Sequence, residues 1–113
     1  MNAQRFNQVL SDQIERINEI LGVKAREYAD DKDRLHNFKA SAALQGCTPR
    51  EALIGLMSKH TISVYDMGRA KQDFPLEKWD EKITDHINYL ILLRALIVEE
   101  DDFDAKMGTN GTD

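Results

Sequence analysis

The stretch TPREALIGLMSKHTISVYDMG, residues 48–68, decides the fold. Thr48 precedes a proline, and Glu51 stands three residues after it. That order is a capping box. The threonine hydroxyl satisfies an orphan N–H at the helix start, and the glutamate carboxylate reaches back to the cap. Pro49 suits the first helical position, where a missing N–H costs nothing. Leu53, Leu56, Met57, His60, Val64 and Met67 then recur at steps of three and four, the period of a helix with one apolar face. The spacing predicts a helix over 49–67, closed by Gly68.

The same period extends to both sides. Phe6, Val9, Leu10, Ile14, Ile17, Ile20 and Leu21 predict a first helix over about 3–21, stopped by Gly22. A second is expected over 34–45, with Asp33 as N-cap, Leu35, Phe38, Ala42 and Ala43 as its apolar side, and Gly46 as its end. Between them, Asp30, Asp31 and Asp33 with Lys32 read as a solvated turn, with a short extra helical turn near Ala25–Tyr28. After a linker over 69–75, Trp79, Ile83, Ile87, Leu90, Leu93 and Ile97 predict a fourth helix over 77–99. The stretch 100–113 is acidic, then rich in Gly, Thr and Asn, and reads as a disordered tail. No strand-like alternation competes. The expectation is an all-α, four-helix, bundle-like single domain over 1–99.

Composition excludes several functional classes. In 113 residues, 15 Lys plus Arg against 20 Asp plus Glu give a formal charge of −5, so general nucleic-acid binding, which needs a basic footprint, is not expected. The longest apolar run, Tyr89–Leu93, is far short of a membrane span. Met1–Gln13 lacks the basic start and apolar run of a signal peptide, and the single Cys47 allows no intramolecular disulfide. A cytoplasmic protein is expected. Nothing in the sequence assembles a base and an orienting group around Cys47, which reads as a structural or surface thiol.

The informative residues are polar ones in or beside the apolar stripes. They are His36 and Asn37 on helix two, Lys59, His60, Ser63 and Asp66 on helix three, and Glu81, Asp85 and Asn88 on helix four. Bundles build ligand and metal sites where such rows converge. Glu81, Asp85 and Asp66 are candidate oxygen ligands for Mg²⁺. His36, Lys59 and His60 would meet phosphate oxygens; Asn37, Ser63 and Asn88 complete the candidate ligand-binding set. Each has a plainer reading. A histidine on an apolar stripe is commonly a hydrogen-bonded core residue, and Glu81 with Asp85 also suits a solvated helix face. Arg94, which interrupts the last apolar run, reads as the partner of a carboxylate on helix one.

The segments Leu35–Phe38, Ala52–His60 and Trp79–Leu90 resemble small uncharacterised proteins of phages and prophages of Gram-positive bacteria. The last of them is also similar to the final core helix of MazG-like, all-α nucleoside triphosphate pyrophosphohydrolases. The resemblance implies a MazG-like helical fold, a nucleotide or phosphate-bearing ligand, and Mg²⁺ held by carboxylates in Glu-x-x-Glu and Glu-x-x-Asp patterns. Asp85 falls on the final aspartate; Lys82 stands where the preceding glutamate belongs, Glu81 is one residue away, and 34–45 contains no acidic residue. Hydrolysis of a phosphoanhydride would thus rest on Mg²⁺ at Asp85 and Glu81, with Lys59 or His60 offsetting developing charge. The alternative is a non-enzymatic helical module that binds a host or phage protein.

Assembly is the last expectation. Helix one has a wide apolar stripe, and helix four is apolar nearly all round from Ile87 to Val98. Two such helices in a small bundle predict a two-fold homodimer through both.

Overall fold

Thr48 starts its helix as its neighbours dictate. In the computed structural model, which describes residues 1–24 and 33–111, Thr48 Oγ1 accepts from Glu51 N at 3.1 Å, and Glu51 Oε1 accepts from Thr48 N at 3.2 Å. The described chain forms α1 (Ala3–Ile17), a π-helical continuation (Asn18–Lys24), α2 (His36–Gln45), α3 (Pro49–Arg69) and α4 (Leu76–Gly111). Helix accounts for 86% of the described residues and no strand occurs among them, so the fold is all-α and bundle-like. The turn expected near Ala25–Tyr28 and the acidic cluster Asp30–Lys32 lie outside the described residues.

Helix ends show which glycines act as stops. A glycine ends a helix by taking the left-handed conformation, and Gly46 does so with φ 70°. Its neighbour Cys47 donates its N–H to Ala42 O at 3.0 Å, closing α2. Gly22 and Gly68 take no such conformation, and the chain stays helical through both. The first helix therefore runs on to Lys24 rather than stopping at Gly22, and α3 ends at Arg69. The fourth helix also continues past Glu99. The segment expected to be a disordered tail is helical from Glu100 to Gly111, because no proline or left-handed residue interrupts it. At ~1.5 Å per residue α4 is about 54 Å long, which accounts for the 57 Å long axis.

Asp33 acts two residues before the N-cap position, which is Leu35. Its Oδ1 accepts from Leu35 N at 2.9 Å, and α2 starts at His36 rather than Arg34. Asp33 Oδ2 also meets Lys39 Nζ at 2.8 Å, and Lys39 reaches Glu99 of α4 at 2.6 Å. Arg50 at the start of α3 pairs with Glu100. These pairs tie α2 and α3 to the same stretch of α4.

The core lies where α2, α3 and α4 meet. Leu35, Phe38, Leu53 and Leu96 form its buried cluster, with Tyr89, Leu92 and Leu93 packed against it. On α4 the buried face is offset from the expected one. Thr84, Asn88 and Leu96 are buried, whereas Ile83, Leu90 and Ile97 are exposed. A helix apolar on most sides does not select its own inward face; docking of α3 does. Thr61 Oγ1 and His86 Nε2 at 2.9 Å, with His60 stacked on Tyr89, set the antiparallel register of α3 and α4.

The ion pairs carry a pH signature. The Lys39 ammonium and the Leu35 N–H hold the Asp33 carboxyl below its ordinary value of 3.8. Hydrogen bonds from the Thr48 N–H and hydroxyl hold Glu51 below 4.5. A depressed folded pKa contributes stability above the unfolded value, and that stability is lost as pH falls through the folded one. Lys39 is raised above 10.5 by Asp33 and then Glu99, so its share is lost only as pH rises through that higher value. Urea midpoints should therefore fall in acid as both carboxyls are protonated, below about pH 4. Asp33→Asn should flatten part of that acid limb; an unchanged limb would show that the Asp33–Lys39 pair does not couple to folding.

Candidate functional site

The nine residues singled out from the sequence lie on three helices and differ widely in exposure. His36 and Asn37 are exposed at the start of α2, and Lys59 and Asp66 are exposed on α3. His60 is half-buried, its ring stacked on Tyr89 at 4.7 Å with 29° between planes. Tyr89 in turn meets Phe38 edge-on at 6.3 Å. His60 thus belongs to an aromatic cluster at the edge of the core, held there by ring stacking. Ser63 and Asp85 are half-buried, Glu81 is exposed, and Asn88 is buried. No side-chain hydrogen bond or ion pair joins any two of the nine among the described residues.

Glu81 does line a cavity. About 310 Å³ opens between the end of the first helix and the start of α4, walled by Arg16, Glu19, Glu77, Asp80 and Glu81. Four carboxylates and one guanidinium make it acidic, and Arg16 already pairs with Asp80 at 3.3 Å. Among the described residues, no group of three or more His, Cys, Asp or Glu side chains is arranged to hold a metal ion. Among the described residues, Arg16 rather than Arg94 pairs with a carboxylate across the first and last helices; Arg94 is exposed. Arg16, Glu19 and Asp80 carried no sequence signal, because ordinary charged residues on solvated faces become neighbours only once α1 docks on α4.

Two polar residues on α4 are buried, Thr84 and Asn88. Thr84 Oγ1 accepts from Gln13 Nε2 of α1 at 3.0 Å. One turn on, Asn88 Oδ1 has no hydrogen-bond partner among the described residues.

α1 carries an uncovered apolar stripe. α1 buries none of its residues: only Gln13 and Ile17 are half-buried, while Phe6 is 58% exposed, Leu10 50% and Ile14 49%. The hydrogen bond and the ion pair that α1 makes to α4 among the described residues come from Gln13 and Arg16, in the second half of α1. The first half of the stripe meets water. The radius of gyration is 17.6 Å, against about 13 Å for a globular domain of this length. No helix of the described chain is long and apolar enough to cross a membrane.

No family model, curated protein or solved structure matches this chain.

Proposed function

We propose that this chain is a non-enzymatic helical interaction module that binds a protein through the apolar face of α1. One observation carries the reading: a helix patterned to bury Phe6, Val9, Leu10 and Ile14 leaves all four exposed. Isolated helices of this length are marginal in water, and their stability usually comes from covering that face. Among the described residues, no side-chain hydrogen bond or ion pair joins any two of the polar residues proposed for a nucleotide and Mg²⁺, and no three or more His, Cys, Asp or Glu side chains are arranged for a metal ion, which favours the surface over them. With the resemblance to small phage proteins, the role is that of an accessory protein acting on a protein partner.

A photo-reactive side chain placed singly at Phe6, Leu10 or Ile14, in cells making the protein, should give discrete covalent protein adducts. The same group at the exposed Lys59 or Asp66 should give none. Absence of adducts at all three α1 positions would overturn the proposal. So would a thermal shift with a nucleotide panel, with or without Mg²⁺; a ligand at a hundred times its dissociation constant stabilises by about 2.7 kcal/mol.

A further inference from the structure

We infer that the partner of the α1 face is a second copy of this chain, with the two α1 helices antiparallel and crossing at Leu10; the inference rests on the interaction reading above. Exposure is the first argument. Phe6, Val9, Leu10 and Ile14 form one stripe on α1 and are 41–58% exposed, so the single chain leaves uncovered the face that a partner helix would take.

Self-complementarity is the second. Phe6 and Ile14 lie one turn either side of Leu10 on the same stripe, and all three are about half exposed. A two-fold axis at Leu10 sets each Phe6 against the partner's Ile14, so one patch is used twice. Charge supplies the direction. Residues 1–10 carry Arg5 alone, whereas 11–20 carry Asp12, Glu15 and Glu19 against Arg16. Arg16 is engaged with its own Asp80. Antiparallel pairing brings Arg5 level with the partner's Glu15, and parallel pairing would stack the acidic halves. The docked half of α1 stays on its own α4 through Gln13–Thr84, so the dimer needs no exchange of helices.

The full chain should have a mass near 26 kDa by light scattering, twice 12.9 kDa, falling towards 12.9 kDa on dilution. Leu10→Glu should give 12.9 kDa throughout while the α2–α4 core stays folded, because Leu10 is half exposed in the single chain and outside that core. Cysteine pairs test the geometry without a charge. In a Cys47→Ser background, Leu10→Cys should oxidise to a covalent dimer. Phe6→Cys should link only when mixed with Ile14→Cys. A constant 12.9 kDa up to millimolar concentration would overturn the proposal, and Phe6→Cys linking to itself would refute the antiparallel seam. Photo-adducts at Leu10 of any mass other than twice the chain would overturn the second copy yet leave the interaction reading standing. No adduct would remove both.

Discussion

Leu53→Ala is expected to lower the free energy of unfolding by about 3 kcal/mol, within the 2–5 kcal/mol usual for emptying a buried leucine site. Leu53 is 0% exposed and packs in the cluster of Leu35, Phe38 and Leu96, the last of them 1% exposed. Three helices contribute to that cluster, so no one of them can move in to fill the void without breaking its ties elsewhere. Lys39 holds α2 to Glu99, and Arg50 holds α3 to Glu100. Domains of this size have roughly 5–15 kcal/mol in total, so the loss is a large share. Urea unfolding followed by circular dichroism would show it as a lower midpoint with an unchanged slope. Leu44→Ala, at a position 90% exposed, should shift stability by no more than about 0.5 kcal/mol. A loss below about 1 kcal/mol at Leu53 would mean that these four residues are not the core.

Asn88→Leu should act in the opposite direction and stabilise the fold by about 1 kcal/mol. Asn88 is 5% exposed and its Oδ1 has no partner among the described residues. A buried acceptor left without a hydrogen bond costs about 1–3 kcal/mol, and leucine has the same branching without that cost. Its extra volume takes back part of the gain. The melting temperature should rise by roughly 4 °C. Asn88→Asp should destabilise strongly, because it buries a charge with no cation beside it. If Asn88→Leu melts lower than the parent, the oxygen has a partner in solution.

The same face of α4 shows how far sequence alone reaches. Periods of three and four were legible for all four helices, since each repeats over several turns. The capping box at Thr48–Glu51 was legible to the residue, because its bonds are local. Which glycine ends a helix was not, for that depends on whether the backbone can turn left-handed: Gly46 does, and Gly22 and Gly68 do not. Among the candidate site residues, His60 was legible as a stripe residue, and its stacking on Tyr89 follows from that position. Whether Lys59, Asp66, Glu81 and Asp85 meet in space is not legible in a sequence, as residues sharing one face of a helix need not face one cavity.

The amino-acid sequence by itself determined the all-α class, the four helices and the capped start of α3, because helix period and caps act over fewer than eight residues. Only the tertiary structure decided the rest. A helix as evenly apolar as Ile87–Val98 has several equivalent ways to turn inward, and the docking of α3 chose the face of Thr84, Asn88 and Leu96. The stripe of α1 was plain in the sequence, but its exposure was not. Periodicity states that a face is apolar; only the positions of the other helices state whether this chain has anything left to cover it.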